Sequence, residues 1–497
     1  MIMRKGIWFG KLSDGTEASI GDMVSQELTV VQAARVRLVG HQRPLDHNAT
    51  VAVAQYLRQR YPELNREEQP SQYTEAGFTR RTLPEVDAAN AVRVTVAPPS
   101  VGPEKCQEKA LALMNGHVLR HPSSFSRLGW CIDVLHSQDG NDCLLWVVLT
   151  MSHSHSDGVG MQVLVSDFLD AYLLLLIGDA LPSRERLPLF SSLPRERTSL
   201  SWGKQVGYGF LGWMSSKLMA YGGPAPMLLT PAAKEHAAKI KEDRLRAGKL
   251  QNEGPMHVEF VELDAASTKQ LCAHARSVGL TVGSLVHGAL FVALAKRYFQ
   301  EHPEAKKLEL EIPLSVNMRK FLNPPLPGTV LAPQQGELQI KLRTTRLEVD
   351  QALASHKAMI PLIHKIALDS RTKVQADLAK PEKLKALDFN ITTASILRNS
   401  KAEQLGAIQY IGDAWLSNVG LFRPSERVQR AGRLIQVETT LTLNPTIMPA
   451  YELVWSNTVA GGSMALSMVT DETMGRNKAS SRALLQDMAN LLQVLVH

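Results

Sequence analysis

The feature that most constrains this chain is a short polar segment between two long apolar ones. Residues 144–151 are apolar apart from Thr150, and residues 159–177 carry Leu, Val and aromatic residues at helical spacing. Between them stands Ser-His-Ser-His-Ser-Asp-Gly at residues 152–158. A continuous apolar strand is typical of a central strand covered on both faces, and a strand followed by a helix is a unit of α/β domains. The sequence therefore predicts an α/β fold with these polar residues at the end of a buried strand.

The length of the chain indicates more than one domain. At 497 residues it exceeds what one hydrophobic core usually supports, so two domains of roughly 200 to 250 residues are expected. A proline-rich stretch at residues 182–198 and a Gly-, Trp- and Met-rich stretch at 201–231 indicate the connection between them. We therefore predict an N-terminal domain at residues 1–190, a crossover or linker at 191–255 and a C-terminal domain at 256–497.

Several elements of the C-terminal domain are predicted from local patterns. Strand-like runs occupy residues 308–318, 336–342 and 439–443. Residues 282–299 have the apolar character of a buried helix, and Thr281 is the residue type that caps a helix N-terminus.

Composition excludes several classes of protein. A hydrophobic fraction of 44% with 21% charged residues is typical of a soluble globular protein. The four cysteines lack paired spacing, so we expect neither a disulfide framework nor a CxxC metal site. We therefore expect the protein to occupy a reducing compartment. The apolar stretch around residues 171–177 is shorter than the roughly 20 residues that span a bilayer. The apolar run within residues 1–10 is too short for the hydrophobic region of a secretory signal. We predict no transmembrane segment and a cytoplasmic location, with peripheral membrane contact through residues 202–219 as the alternative.

The charge of the chain bears on its partners. The formal net charge is +7, spread along the sequence without basic runs. This charge favours anionic partners such as a nucleotide thioester or an acidic carrier protein, and its even spread gives no indication of nucleic-acid binding.

The polar segment contains groups suited to acid–base chemistry. His153 stands four residues before Asp157, which Gly158 follows. A neutral imidazole, titrating near pH 6.5, accepts a proton from an alcohol or amine that attacks a carbonyl, which is worth about 10²- to 10⁴-fold in rate. Asp157 has a structural role as its alternative, because a buried carboxylate needs a cation as its partner. Gly158 allows the backbone to turn tightly before the helix. We interpret His153 as a general base; the alternative is a loop histidine held by neighbouring backbone.

These residues resemble the HHxxxDG or HxxxD signature of the chloramphenicol-acetyltransferase-like superfamily. That superfamily includes peptide-synthetase condensation domains, plant BAHD acyltransferases, alcohol acetyltransferases and wax ester synthases. Ser152 replaces the first histidine of the longer signature. Four further segments are similar to the superfamily in the expected order: Arg-Tyr-Pro-Glu-Leu at 60–64, the helix at 279–298, Pro-Leu-Ser-Val-Asn-Met-Arg at 313–319 and Leu-Ser-Asn-Val-Gly at 416–420.

The resemblance implies a fold and a division of roles. We expect two similar domains, each a mixed sheet flanked by helices, with a tunnel between them for donor and acceptor. His153 would be the base, and Arg319 would pair with Asp157 and hold the shape of the loop. Ser417 and Asn418 would stand on the far wall as candidate oxyanion donors, although Ser and Asn are also ordinary turn residues.

The resemblance also implies an activity. We expect a monomeric O-acyltransferase of secondary metabolism that moves an acyl group from a thioester to a hydroxyl or amine of a small molecule. No bound cofactor is expected; acyl-CoA or an acyl carrier protein would be the co-substrate. The sequence lacks the D-F-G-W-G motif of BAHD enzymes and the P-L-W segment of wax ester synthases, so no branch is assigned. A free-standing condensation-type enzyme with carrier-protein donors stays open.

Two other readings of the sequence are weaker. His153-x-His155-x-Asp157 begins the HxHxDH zinc cluster of metallo-β-lactamase-like hydrolases, but Gly158 occupies the place of its last histidine. A GxGxxG match at residues 207–212 follows no predicted strand, so it does not indicate a dinucleotide-binding site. The G-x-S-x-G motif typical of a serine α/β-hydrolase is absent from the sequence. A non-catalytic binding protein of the same fold is the remaining alternative.

Overall fold

The structure is a computed structural model of the chain. It describes residues 9–11, 17–19, 29–40, 43–70, 78–82, 93–118, 128–153, 155–183, 186–188, 256–322, 324–331, 335–380, 414–444, 453–471 and 478–496. The predicted linker from residue 191 to 255, with its GxGxxG match and its aromatic stretch, lies outside the described residues.

The described residues form seventeen strands and nine α-helices. The strands are Phe9–Lys11 (β1), Glu17–Ser19 (β2), Thr29–Leu38 (β3), Arg66–Pro70 (β4), Phe78–Thr82 (β5), Arg93–Val96 (β6), Trp130–Asp139 (β7), Asp142–Ser152 (β8), Met256–Leu263 (β9), Lys307–Glu311 (β10), Leu314–Asn317 (β11), Gln335–Leu338 (β12), Lys341–Thr345 (β13), Trp415–Phe422 (β14), Ile435–Leu443 (β15), Leu453–Val459 (β16) and Met464–Asp471 (β17). The helices are His47–Arg60 (α1), Pro103–Val118 (α2), Gly158–Leu176 (α3), Ala265–Ser277 (α4), Val282–Glu301 (α5), Arg346–Leu353 (α6), His356–Leu378 (α7), Glu426–Arg430 (α8) and Lys478–Val494 (α9).

Four strands from the first half of the chain and β15 from the second build a five-stranded sheet in the order β15-β3-β8-β7-β6. It is mixed, because β6 and β7 run parallel while the other neighbours are antiparallel. Helices α1 and α3 cover one face, and α2 packs on the other. All of β8 after its first residue is buried, which confirms the prediction of a central strand leading to the polar motif.

The second half of the chain builds a six-stranded mixed sheet in the order β12-β11-β14-β16-β17-β9. Its core is formed with α4, α5, α7 and α9. Thr281 and Ser284 form a reciprocal capping box at the start of α5, as the local pattern predicted. Two mixed sheets flanked by helices confirm the predicted fold class. The smaller sheets are β1-β2-β5-β4 and the antiparallel pair β10-β13.

The predicted strand at residues 308–318 is wrong, because two strands in different sheets occupy it. Its first part, β10, pairs with β13, and its second part, β11, belongs to the six-stranded sheet. Pro313 lies between them and has no N–H to continue a ladder. The prediction at residues 336–342 fails in the same way, because the chain divides there into β12 and β13. The two breaks lie side by side, joined by the bond from Ile312 N to Ile340 O at 2.9 Å.

Strand β15 lies in the five-stranded sheet of the N-terminal domain, whereas we predicted it in the C-terminal domain. The pattern at residues 439–443 indicated a strand of the C-terminal domain, but β15 pairs with β3 from Ile435 opposite Leu38 to Leu443 opposite Val31. The physical reason is the edge of β3, whose unpaired backbone needs a partner when both faces of the sheet are covered. The segment 256–497 is therefore not confined to one sheet; the other domain boundaries stay a prediction.

Helix α3 is the one described helix that is by itself long and apolar enough to cross a membrane, contrary to the expectation from residues 171–177. Helices α4 and α5 pass the same test only as a pair bent by 101°. Most of α3 is buried inside the protein, including Met161, Leu164 and Phe168. Its apolar character is accounted for by the core between the sheet and α1.

Candidate functional site

The polar motif is a tight turn from β8 into α3. Ser152, the last residue of β8, donates its N–H to Gly129 O at 2.9 Å and accepts from His155 N at 3.0 Å. Asp157 is the N-cap of α3, and its carboxylate accepts from Gly160 N at 2.8 Å. The segment therefore leaves the strand and enters the helix within a few residues, and this places His153 at the junction.

Asp157 and Arg319 form a buried, bidentate ion pair. Nη1 and Nη2 of Arg319 donate to the two carboxylate oxygens, each at 2.9 Å, and both side chains are 3% exposed. Arg319 also donates to Val330 O at 2.9 Å, and Asn317 Oδ1 accepts from its backbone N–H at 3.1 Å. The structure thus joins two residues that the resemblance placed together, and it commits both oxygens of Asp157 to a cation.

His153 is buried beside this pair. It is 4% exposed. Burial lowers the pKa of its imidazole below 6.5, an effect that backbone hydrogen bonds and the charge of Asp157 oppose only in part. A histidine with a lowered pKa is neutral at physiological pH, and the neutral ring is the form that accepts a proton.

His155, inside the motif, turns toward a different part of the protein. Its Nε2 lies 3.3 Å from Arg66 O, at the start of β4. Within the described part of the chain, His153, His155 and Asp157 are not a set whose ligand atoms lie within 4.8 Å of one another. Because Asp157 turns its oxygens to Arg319, the structure does not assemble the zinc cluster of the hydrolase alternative.

Gly158 and Gly160 allow close approach of other elements to the first turn of α3. A Cβ on Gly158 would lie 3.1 Å from Val419 Cγ1 and 3.5 Å from Thr442 Cγ2. A Cβ on Gly160 would lie 2.6 Å from Leu331 O. The helix start is therefore packed against β14, β15 and the chain next to Val330, which accepts the Arg319 hydrogen bond.

The segment with Ser417 and Asn418 lies on β14 opposite the motif. Ser417 is half-buried and Asn418 is exposed. The strand is irregular between Asn418 and Gly420, where Asn418 Oδ1 accepts from Gly420 N at 3.0 Å. The amide nitrogen of Asn418 would be 2.2 Å from a Cβ on Gly283, in the first turn of α5. The structure thus places this segment between the starts of α3 and α5; its part in a tunnel wall stays a prediction.

Sequence reasoning assigned no role to Asp167, which fixes the next turns of α3. Its carboxylate pairs with Arg60 at 2.7 Å and accepts from Tyr61 Oη at 2.7 Å. In the same segment Leu64 O accepts from Trp130 Nε1 at 3.0 Å. The signal in the sequence for this contact is the Arg-Tyr-Pro-Glu-Leu segment at residues 60–64, which supplies Arg60 and Tyr61.

A cleft of about 660 Å³ lies away from the motif, lined by residues that include Arg35, Glu262 and Glu438. Arg35 pairs with both carboxylates at 2.8 Å. It lies opposite Trp146 in the sheet, about 20 Å along β8 from Ser152 at roughly 3.3 Å per residue. Arg35 and Arg37 of this cleft are both committed to ion pairs, and we assign the cleft no part in the chemistry at His153.

Comparisons with known proteins identify the fold. The structure matches trichothecene 15-O-acetyltransferase TRI3 from Fusarium sporotrichioides with a TM-score of 0.66 and 13% identity, over 97% of this chain and 95% of that one. It matches polyketide synthase associated protein 5 from Mycobacterium tuberculosis with a TM-score of 0.55 and 15% identity, over 99% of both chains. The first condensation domain of the calcium-dependent antibiotic synthetase matches at 0.51 with 12% identity, over 95% and 91%.

These matches and the two mixed sheets define a two-domain protein of the chloramphenicol-acetyltransferase-like fold, so the resemblance drawn from the motif is confirmed at the level of the fold. Within that class, residues 252–355 match the family model described as phthiocerol/phthiodiolone dimycocerosyl transferase C-terminus. No curated protein sequence matches the chain significantly.

Proposed function

We propose that this protein is an acyltransferase that moves an acyl group from a thioester to a hydroxyl group of a small molecule, with His153 as the general base. An amine is the alternative acceptor. Acyl transfer is supported by the fold and by the family match over residues 252–355. The donor, the acceptor and the role of His153 are our proposal.

The observation that carries this proposal is the different state of His153 and Asp157, two of the three titratable groups of the motif. Asp157 is bound through both oxygens to Arg319 and also accepts from Gly160 N, so its carboxylate is engaged in holding the loop and the start of α3. His153 is buried with its pKa lowered, so it is the neutral base of the motif. We therefore assign the proton transfer to His153 and a positioning role to Asp157.

The proposed reaction needs no covalent enzyme intermediate. His153 takes the proton of the acceptor hydroxyl while the oxygen attacks the thioester carbonyl, and a tetrahedral oxyanion forms. Ser417 or Asn418 would donate a hydrogen bond to that oxyanion, a contribution of about 2.7 to 4 kcal/mol for one such donor. The intermediate collapses and the C–S bond breaks. The leaving thiolate then receives the proton from the imidazolium of His153.

The names of the structural neighbours agree with this chemistry and do not choose among donors. TRI3 is named as an O-acetyltransferase, and other matched structures are named as condensation domains of the calcium-dependent antibiotic synthetase and of the Monacolin K polyketide synthase. Free acyl-CoA and a carrier-protein thioester both suit a chain with a formal net charge of +7. We propose acyl-CoA as the first donor to test.

The test is thiol release from a panel of acyl-CoA thioesters, with pooled alcohols or amines, by wild type, His153→Ala and His155→Ala. We expect acceptor-dependent release by wild type and a loss of at least about 100-fold in His153→Ala, the low end for a missing general base. His155→Ala is the matched control, because it removes a buried imidazole from the same loop; a folded variant should keep most of the rate.

Three results would change the proposal. Equal rates for wild type and His153→Ala would remove the base from His153. A trapped acyl-enzyme with ping-pong kinetics would replace direct transfer by a covalent mechanism. No release from any acyl-CoA by folded wild type would favour the condensation-type alternative with carrier-protein donors, which the matched condensation domains keep open.

A further inference from the structure

Three buried residues with different ligand chemistry converge beneath β8. His117 lies in the last turn of α2, and Cys131 and Asp133 lie on β7. They are 1%, 0% and 4% exposed, and one ligand atom from each lies within 4.8 Å of the other two. The scattered cysteine positions had argued against a CxxC metal site, and this cluster is of another kind, with one ligand from a helix and two from a strand.

Two of the three distances between the ligand atoms of this cluster match the edges of a metal coordination polyhedron. Asp133 Oδ2 lies 3.5 Å from His117 Nε2 and 3.6 Å from Cys131 Sγ. An N–H···O hydrogen bond is normally 2.7 to 3.2 Å long. Around a tetrahedral zinc ion, with bonds of about 2.0 Å to nitrogen or oxygen and 2.3 Å to sulfur, neighbouring ligand atoms lie about 3.3 to 3.8 Å apart.

The fold orients each of the three groups. Cys131 and Asp133 are two residues apart on β7, so their side chains project from the same face of the sheet, toward α2. His117 Nδ1 lies 2.6 Å from Thr150 Oγ1, on the neighbouring strand β8. A metal-binding histidine usually has its second ring nitrogen held in this way, and here the contact leaves Nε2 facing the carboxylate.

We propose that His117, Cys131 and Asp133 supply three of the four ligands of one tetrahedral zinc ion that holds α2 against β7. One thiolate and one carboxylate would balance the charge of the ion, and the Cys131 proton would pass to solvent on binding. A mixed nitrogen, sulfur and oxygen set suits zinc better than magnesium or calcium, which prefer oxygen ligands. The site is separate from the reaction at His153 and does not depend on the proposed function.

Metal content is the first measurement. Protein purified without a metal-affinity step and dialysed against zinc, then against metal-free buffer, should hold about one zinc per chain by mass spectrometry, as a single structural site requires. Cys131→Ser should lower the content at least tenfold. Cys143→Ser is the matched control, because Cys143 is also buried in this sheet and its Sγ makes a long hydrogen bond of 3.9 Å to Leu144 O.

Cobalt gives a second test that needs no variant to fold. Wild-type protein loaded with Co²⁺ should show the near-ultraviolet charge-transfer band of a cobalt–thiolate bond, and Cys143→Ser should retain it. Folded wild type that holds no zinc and shows no cobalt–thiolate band would overturn the proposal and leave a hydrogen-bonded cluster. Zinc lost equally in both cysteine variants would overturn it as well. Neither readout uses acyl transfer, so a failure here is distinct from a failure of the proposed function.

Discussion

At the scale of single residues, two groups four positions apart in one loop have opposite properties. The carboxylate of Asp157 is paired with Arg319 and caps α3. The imidazole of His153 is held in its neutral form by burial. The sequence showed the positions of His153 and Asp157, but only the resemblance indicated Arg319, which lies 162 residues away from its partner. Pairing across such a distance has no local signal in one sequence.

The pH dependence of the reaction follows from His153. The base form is the active form, so the rate is lost as pH falls through the pKa of the folded enzyme. Because burial lowers that pKa, we expect the acidic limb of kcat/KM to have its midpoint below pH 6.5, the ordinary value for histidine. A pH profile with free thioester as the varied substrate measures this, and a midpoint above 6.5 would contradict the assignment.

The buried ion pair should dominate the stability of the motif. Arg319→Ala leaves the Asp157 carboxylate buried without its cation, which costs about 3 to 5 kcal/mol of unfolding free energy. Urea unfolding measures the loss. Arg430→Ala is the control, because Arg430 pairs with Glu426 on the surface, where such pairs contribute little. Equal losses in the two variants would show that the buried pair has no special role.

At the scale of elements, local patterns were reliable where one segment determines its own structure. The apolar run that became β8 and the capped helix α5 were predicted because burial and capping are properties of consecutive residues. The strand break at Pro313 was visible in the sequence, yet the alternation on both sides of it suggested one strand. Which sheet each part joins depends on distant partners, and the sequence does not show them.

The first turn of α3 should be sensitive to a single methyl group. In Gly160→Ala the new Cβ would meet Ser156 Oγ at 2.4 Å and Leu331 O at 2.6 Å, so we expect a loss of about 1 to 3 kcal/mol from overpacking. Gly116→Ala is the control: it lies in α2, and outside its own helix no atom of the described residues is within 4 Å of the new Cβ, while alanine favours a helix. Chemical denaturation of both compares them, and a neutral Gly160→Ala would contradict the packing described here.

At the scale of the whole molecule, the two sheets are joined by β15 and by a shared core. Leu441 and Leu443 of β15 pack with Val31 of β3 and with Trp455 of β16. Arg35 adds ion pairs to Glu438 on β15 and Glu262 on β9. This arrangement could not be predicted from the strand pattern alone, because β15 has the same alternation whether it completes one sheet or the other.

The shared strand predicts that the two halves unfold together. We expect one calorimetric transition, with tryptophan fluorescence and far-ultraviolet circular dichroism changing at the same temperature. Leu443→Ala, which removes a fully buried side chain of β15, should lower both midpoints equally, with a loss of about 2 to 5 kcal/mol. Two resolved transitions in the wild type would contradict this coupling.

Strand β15 also has a consequence for synthesis of the chain. Gln32 of β3 and Thr442 of β15 share a hydrogen bond across 410 residues of sequence. At translation rates of about 5 to 20 residues per second, β15 is synthesised roughly 20 to 80 seconds after β3, and the edge of β3 stays unpaired for that time. During that interval the nascent sheet presents an open edge to other chains. We expect expression to depend on chaperones that shield this edge, and slower translation of the second half to increase aggregation.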